Sequence, residues 1–289
     1  MGVRIFSGAA VAVISFLLVF AGGLPLLSAL LVVSCIAYRE LTHATGVHQG
    51  NGINGLEITG YLIIICYYGI LWLDQNLYFQ NGVQTMYFFG LSCVLLGGMM
   101  LMMAVYVFTF PKFRAEQVMT AFFELLYAPV MLSCIYLTRS LPGGLYVVWM
   151  IFISSWVCDT CAYFTGVAFG RHKMAPVLSP KKSIEGAVGG IVGSALFGAL
   201  FGFLFQGKVQ ISELTAVVSE AVPVIFAVIA AVGAVISQIG DLAASAIKRN
   251  HEIKDYGKCI PGHGGIMDRF DSVIFTAPVI YALAVLVLM

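Results

Sequence analysis

The sequence predicts an all-α polytopic membrane protein, and three observations support that prediction. Hydrophobic residues make up 60% of the 289-residue chain, and charged residues make up only 10%. The mean hydropathy is +0.97, which is too high for a soluble domain, because such a domain needs a more highly charged surface. Several apolar runs also approach or exceed the roughly 20 residues that a helix needs to cross a bilayer.

Nine apolar runs are candidate membrane spans. They lie at about residues 5–21, 24–38, 57–73, 84–108, 118–138, 145–165, 187–206, 221–247 and 272–288. The first run follows a single Arg4 and lacks a small-residue cleavage site before polar sequence, so we expect a membrane helix rather than a removable signal. We divide the chain into an N-terminal membrane region, residues 1–140, and a C-terminal region, residues 141–289, that contains the larger polar loops.

Charges in the loops predict the orientation. With nine spans and a cytoplasmic N-terminus, 13 of the 15 Lys and Arg residues fall on the cytoplasmic side. Only Arg139 and Lys208 fall outside, which is a strong positive-inside bias. The two larger polar loops, residues 166–186 and 248–271, then face the cytoplasm. We therefore expect a multi-pass protein of the cell membrane whose functional face is cytoplasmic.

One polar stretch, Ser245–Asp271, stands out against the apolar background. Its 27 residues include nine of the 29 charged side chains of the chain, which has 15 Lys and Arg and 14 Asp and Glu. Charge concentrated in one part of a membrane protein indicates chemistry or the binding of a charged ligand. The net charge of the chain is only +1, so there is no basic field for nucleic acid, and we expect no nucleic-acid partner.

Two of the seven cysteines, Cys158 and Cys161, form a CxxC motif. This spacing occurs in redox pairs and in zinc sites, but no second CxxC or His pair follows at a distance typical of zinc. Cysteine in an apolar run also behaves as a small hydrophobic residue. We therefore favour helix packing for this pair.

Four aspartates lie in or beside predicted spans: Asp159, Asp241, Asp268 and Asp271. A carboxylate at membrane depth costs several kcal/mol unless it is paired, protonated or bound to a cation. For any one of them, a structural hydrogen bond to a neighbouring helix is the alternative. Asp268 and Asp271 are three residues apart and would share a face of a helical turn. Carboxylate oxygens suit Mg²⁺, which combines one or two carboxylates with substrate phosphates.

The residues that follow Asp241 have helical spacing. Asp241, Ser245, Lys248 and Arg249 stand at positions i, i+4, i+7 and i+8, which is one face of a helix. A carboxylate, a hydroxyl group and two cations would therefore line one side of the helix as it leaves the membrane.

The segment IPGHGGI, residues 260–266, combines one proline with three glycines and is predicted not to be helical. Gly264 and Gly265 would let backbone N–H groups approach a phosphate closely. His263 could bind phosphate, act as an acid or base, or hold the loop. Lys254 precedes this segment and adds positive charge.

The other polar loop contains Lys181 and Lys182, which could bind phosphates. Ordinary positive-inside charge is a serious alternative explanation for the nearby Arg171 and Lys173. Ser183 follows the two lysines and is a candidate N-cap. The positive end of the helix it would begin favours an anion.

These residues resemble the signature of the phosphatidate cytidylyltransferase (CDP-diacylglycerol synthase) family. The matching positions near the C-terminus are Ser245, Lys248, Arg249, Lys254, Asp255, Gly257, Ile260, Pro261, His263, Gly264, Gly265, Asp268, Arg269 and Asp271. The upstream matches are Asp159, Ala162, Tyr163, Gly166, Gly170, Arg171, His172, Lys173, Ser179, Pro180, Lys181, Lys182, Ser183, Glu185 and Gly186. The family more often has Thr at the position of Ser183, a change that keeps the hydroxyl. The clear resemblance covers about residues 155–275.

The resemblance implies the reaction of CTP with phosphatidic acid, which gives CDP-diacylglycerol and pyrophosphate with Mg²⁺ as cofactor; a second ion could be monovalent, such as K⁺. It assigns metal binding to Asp241, Asp268 and Asp271. It assigns phosphate binding to Lys181, Lys182, Ser245, Lys248, Arg249, Lys254, His263, Gly264, Gly265 and Arg269. Asp159 would complete the catalytic group of Asp241, Asp268, Asp271, Lys254 and His263 from the other loop. CTP would arrive from water and phosphatidic acid from the lipid bilayer.

Alternative functions are a CTP-dependent lipid kinase of the dolichol or phytol type and an ion-coupled transporter. The full signature argues against the kinase, and the lack of repeated halves with paired broken helices argues against the transporter. A CDP-alcohol phosphotransferase would need an Asp-Gly pair, which the sequence lacks. The small-residue run Gly186–Gly193 could pack within one protomer or between two, so a homodimer is one possible assembly.

Overall fold

The structure is a computed structural model that describes residues 2–73, 84–209, 221–259 and 264–288. Its helices are α1 Gly2–Ala21, α2 Gly23–Ala44, α3 Gly55–Leu73, α4 Gln84–Phe108, α5 Ala115–Leu125, α6 Met131–Ser140, α7 Gly144–Val147, α8 Trp149–Phe152, α9 Cys158–Phe169, α10 Ile184–Phe205, α11 Val222–Asn250 and α12 Met267–Leu288. Single π-helical turns join α5 to α6, at Leu126–Val130, and α8 to α9, at Ile153–Val157. Two short strands, β1 Lys173–Ala175 and β2 Ser179–Ser183, form an antiparallel hairpin.

The described residues include eight helical segments that are long and apolar enough to cross a membrane. They correspond to the second to ninth predicted spans, and a shorter apolar helix, Gly8–Ala21, corresponds to the first. Large apolar side chains such as Phe88, Leu196 and Val224 are exposed on these helices, as expected of surfaces that face lipid. The prediction of an all-α polytopic membrane protein is therefore confirmed. The orientation stays a prediction.

The chain divides into two compact units by its internal contacts. The first unit contains residues 1–11, 23–133 and 255–267, and the second contains residues 12–22, 134–254 and 268–289. The predicted domain division into residues 1–140 and 141–289 stays a prediction.

A network of buried polar side chains joins helices within the first unit. Glu57 on α3 is only 1% exposed, and its carboxylate accepts hydrogen bonds from the Thr42 hydroxyl at 3.2 Å and from the Asn54 backbone N–H at 2.9 Å. His48 Nδ1 lies 3.0 Å from the same carboxylate. The Thr45 hydroxyl donates to Glu124 on α5 at 2.5 Å. The Glu57 carboxylate and Glu124 Oε1 thus have partners inside the protein, whereas Glu124 Oε2 is buried without a hydrogen-bond partner among the described residues.

Within the second unit, small residues on α10 allow close packing. Gly186, Gly190, Ser194, Gly198 and Gly202 recur every four residues and are buried. A Cβ added at Gly190 would lie 2.8 Å from Cys158 Sγ on α9, and one at Gly198 would lie 2.7 Å from the Phe226 carbonyl oxygen on α11. The stripe therefore packs within the protomer, which is one of the two alternatives that its sequence allowed. The homodimer stays a prediction.

The CxxC cysteines take part in the same packing. Cys158 and Cys161 are free thiols, and Cys158 is fully buried. Cys158 lies against Gly190, and a Cβ added at Gly193 would contact the Cys161 side chain. The prediction that these cysteines serve helix packing is confirmed.

Candidate active site

Helix α11 positions the first group of predicted site residues. Asp241, Ser245, Lys248 and Arg249 all lie on this helix, as their spacing predicted. The first three side chains are half-buried and Arg249 is exposed. Lys248 and Arg249 stand in the last turn, where the negative end of the helix dipole favours cations.

Helix α12 brings the second group, and an ion pair ties it to α11. Asp268 lies in the first turn of α12 and is only 8% exposed. The ammonium group of Lys248 donates a hydrogen bond to Asp268 Oδ1 at 2.9 Å. A pair this well buried holds the end of one helix against the beginning of the other, because separating two buried opposite charges is costly.

A close approach of the two helices places Asp271 near Asp241. A Cβ added at Gly240 would lie 3.0 Å from the Asp271 carbonyl oxygen, so only glycine allows this approach without a shift. Asp271 Oδ1 accepts a hydrogen bond from the Ser272 backbone N–H at 2.8 Å. The carboxylates of Asp159, Asp241 and Asp271 interact with one another electrostatically. Three mutually repelling carboxylates make a region that favours cations.

The β-hairpin brings cations to these carboxylates. Lys182 on β2 forms an ion pair with Asp241, and both side chains are 25% exposed. Lys182 and Arg269 also interact electrostatically with Asp159. Lys181, the preceding residue, is exposed. The hairpin therefore supplies positive charge to the same place where α9 and α11 supply negative charge.

A cavity of about 500 Å³ lies between the hairpin and helices α9, α10 and α11. Its charged lining residues are Asp159, Lys173, Lys181, Lys182 and Asp241. Both signs of charge therefore face one space, which suits a ligand with phosphates and a bound cation.

The hairpin is held at its base by two side chains. Ser183 is the N-cap of α10, and its hydroxyl accepts a hydrogen bond from the Gly186 backbone N–H at 3.2 Å. This confirms the predicted N-cap. The Glu185 carboxylate accepts hydrogen bonds from the backbone N–H groups of Arg171, at 3.1 Å, and His172, at 3.2 Å, and lies 2.6 Å from His172 Nδ1. We call residues 170–183 the hairpin segment.

Sequence reasoning missed a polar residue of the cavity. Gln238 lines it, and its amide nitrogen donates a hydrogen bond to the Ala187 carbonyl oxygen at 3.0 Å. This bond ties α11 to α10 one turn before Asp241. The sequence did contain a signal for Gln238, because it is a polar side chain in an apolar span and stands three residues before Asp241. Lys173, which ordinary positive-inside charge could have explained, also lines the cavity.

Three other predicted residues, Lys254, Gly264 and Gly265, are not among the residues that line the cavity. Lys254 is exposed in the turn region after α11. Gly264 and Gly265 belong to the first compact unit, where they precede α12. His263 lies outside the described residues. We call residues 255–266 the glycine loop, of which 255–259 and 264–266 are described.

Among the described residues, the one close group of three potential metal ligands belongs to the first unit and contains none of the predicted aspartates. Atoms of His43, His48 and Glu57 lie within 4.8 Å of one another. The Glu57 oxygens already accept hydrogen bonds from Thr42 and Asn54 and face His48, and the His43 and His48 rings are stacked at 3.7 Å. These contacts account for the cluster as a structural element.

Comparisons with known proteins identify the family. The model of the cytidylyltransferase family matches residues 2–287. The chain belongs to this family. It is 27% identical to the phosphatidate cytidylyltransferase of Bacillus subtilis over 98% of this chain and 97% of the relative. It is 31% identical to that of Staphylococcus saprophyticus over 96% of each chain, and 35% identical to that of Thermotoga maritima over 46% of each.

The match extends beyond the region where the signature was visible. Residues 155–275 showed the resemblance, whereas the family model also covers the first membrane spans. The predicted family and the predicted class of enzyme, a nucleotidyltransferase, are therefore confirmed.

Proposed function

We propose that this membrane protein is a phosphatidate cytidylyltransferase, which converts CTP and phosphatidic acid into CDP-diacylglycerol and pyrophosphate. The observation that supports this most directly is the cavity whose lining combines Asp159 and Asp241 with Lys173, Lys181 and Lys182. The relatives named above bear this activity in their names. Both substrates are anionic, and one is a membrane lipid, which fits a charged cavity among apolar helices.

In the proposed reaction, a phosphate oxygen of phosphatidic acid attacks the α-phosphorus of CTP. A bond forms between them, and the bond from the α-phosphorus to the bridging oxygen of the β-phosphate breaks, so pyrophosphate leaves. Because phosphatidic acid is already ionised at neutral pH, the protein needs to position and neutralise charge rather than supply a nucleophile.

Basic side chains of the second unit would hold the phosphates. Lys181 and Lys182 lie on the hairpin, and Ser245, Lys248 and Arg249 lie on α11. Arg269 offers a specific donor, since its Nε is buried and has no hydrogen-bond partner among the described residues. An unpaired buried donor is costly, and a substrate phosphate would satisfy it. Phosphate binding by Lys254, His263, Gly264 and Gly265 stays a prediction from the sequence.

The carboxylates fit a magnesium ion by the chemistry of their oxygen atoms. We propose that Asp241, Asp268 and Asp271 hold Mg²⁺, with Asp159 on the facing helix, and that a second ion could be monovalent, such as K⁺. When bound, the metal would neutralise phosphate charge. The repulsion among Asp159, Asp241 and Asp271 supports cation binding in this region. Lys182 and Lys248 balance part of the same charge through their ion pairs with Asp241 and Asp268.

We further propose that the protein lies in the cell membrane with this cavity on the cytoplasmic side. The excess of Lys and Arg in the predicted cytoplasmic loops supports this orientation. It would place the cavity where CTP is available.

The purified protein in detergent, given CTP, phosphatidic acid and Mg²⁺, is expected to form CDP-diacylglycerol. Asp268→Asn should lower the rate by about 100-fold or more, because it removes a charge from the proposed metal and lysine contacts. Glu116→Gln, which changes an exposed carboxylate on α5, is the control and should leave the rate unchanged. A wild-type protein that makes no CDP-diacylglycerol would contradict the proposed function. A near-normal rate for Asp268→Asn would contradict the metal assignment.

A further inference from the structure

Glu40 on α2 is a buried carboxylate that the family signature does not include. It is 6% exposed and belongs to the first compact unit, as does the glycine loop. Glu40 Oε1 accepts a hydrogen bond from the Ile266 backbone N–H at 3.0 Å, and Oε2 accepts one from the Met267 N–H at 2.9 Å. One carboxylate therefore binds two consecutive amides with both of its oxygens.

These two amides lie at the N-terminus of α12, which begins at Met267. The first N–H groups of a helix have no partner within the helix and form the positive end of its dipole. A carboxylate in this position makes charge-assisted hydrogen bonds and is stabilised as the anion. Glu40 thus acts as the cap of α12, supplied by a helix 226 residues earlier in the chain.

Two described glycines of the loop, Gly257 and Gly265, lie close against the same carboxylate. A Cβ added at Gly257 would collide with Glu40 Oε1, and one added at Gly265 would collide with both carboxylate oxygens. Gly264 has a φ of +84°, a left-handed conformation that favours glycine. The carboxylate and its hydrogen bonds therefore explain why small residues stand at Gly257 and Gly265.

We propose that Glu40 is a positioning residue that holds the glycine loop and the start of α12. The next residue along the chain is Asp268, so the anchored amides determine where the first turn of α12 begins. The catalytic part of this inference rests on the proposed function, because it concerns the same aspartate. The anchoring itself does not depend on any activity.

Amide hydrogen exchange of the full-length protein in detergent tests the anchor directly. Glu40→Gln keeps the size of the side chain but turns an NH₂ group toward one of the two N–H donors. Exchange at Ile266 and Met267 is expected to become faster on the order of tenfold, the effect of losing one hydrogen bond to a charged acceptor. Glu124→Gln is the matched control, since Glu124 is 1% exposed and bonds to Thr45 instead of the loop. Unchanged exchange at these two amides in Glu40→Gln would overturn the proposal.

Kinetics separate positioning from general stability. We expect Glu40→Gln to lower kcat for CDP-diacylglycerol formation about tenfold, with the KM for phosphatidic acid little changed. Glu124→Gln should leave kcat unchanged, and equal losses of kcat in the two variants would overturn the positioning role. If the wild-type protein proves inactive, the proposed function fails, whereas the exchange experiment still decides whether Glu40 anchors the loop.

Discussion

The hairpin segment and the glycine loop are each held by one glutamate that accepts hydrogen bonds from two consecutive backbone amides. The two glutamates differ in how far along the chain they lie from the residues they hold. Glu185 follows its partner amides by 13 and 14 residues. Glu40 precedes its partners by 226 and 227 residues. The Glu185 side chain is 26% exposed, whereas Glu40 is 6% exposed as a residue.

This difference separates a local anchor from a distant one. A local anchor stands within the same motif as the residues it holds, and water can replace part of its hydrogen bonding when it is removed. A distant, buried anchor has no such substitute, because its loss leaves buried N–H groups without acceptors. We therefore expect changes at the glycine loop to cost more than equivalent changes at the hairpin segment.

Gly265→Ala should have the largest effect in this comparison. The new Cβ would collide with both oxygens of Glu40, and two hydrogen bonds keep that carboxylate from moving away. Overpacking of this kind costs about 1–3 kcal/mol, and the same loss of transition-state stabilisation would slow CDP-diacylglycerol formation about fivefold to 150-fold. The control is Gly52→Ala, where an added Cβ meets nothing within 4 Å. Equal rates for the two variants would mean that the glycine loop does not fit around Glu40 as described.

Glu185→Gln should have a smaller effect, which measures the local anchor. Glutamine can still accept one backbone hydrogen bond but loses the charge that faces His172. We expect the rate of CDP-diacylglycerol formation to fall by less than about tenfold, since exposed charged contacts are screened by water. Glu116→Gln again serves as the control for an exposed carboxylate. A loss as large as that of Glu40→Gln would remove the distinction between the two anchors.

The change in reactivity of Cys259, in the glycine loop, should be the smallest effect in this comparison. Its measurement needs no enzymatic activity. Burial, together with the charge and hydrogen bond of Glu40, raises the pKa of its thiol, so the reactive thiolate appears only at a higher pH than for an ordinary cysteine. Glu40→Gln removes the negative charge, so the pKa should fall. The pH midpoint of Cys259 alkylation, followed by peptide mass spectrometry, should therefore move to lower pH. An unchanged midpoint would show that Glu40 does not act on this loop electrostatically.

Local patterns predicted much of the fold. Long apolar runs located the spans because a membrane helix requires continuous apolar sequence. The spacing of Asp241, Ser245 and Lys248 predicted one helix, and α11 contains all three. Ser183 was predicted as an N-cap because that role depends only on residues three positions ahead.

Features that depend on distant contacts could not be predicted. The strands β1 and β2 are three and five residues long, and Pro180 within β2 argues against a strand by sequence. The ion pair of Lys182 with Asp241 and the hydrogen bonds of Glu40 join residues far apart in the chain. A lone glutamate near the end of an apolar span carries no sign of which amides it will bind.

The fate of each phosphorus atom of CTP tests the central claim, cytidylyl transfer to phosphatidic acid, most directly. The wild-type protein in detergent with phosphatidic acid and Mg²⁺ is given CTP labelled in the α-phosphate or, in a parallel reaction, in the γ-phosphate. We expect the α-label in the lipid product and the γ-label in free pyrophosphate. Transfer of the γ-label to lipid with release of CDP would indicate a kinase and contradict the account. The account would also be contradicted if neither labelled form of CTP gave labelled lipid.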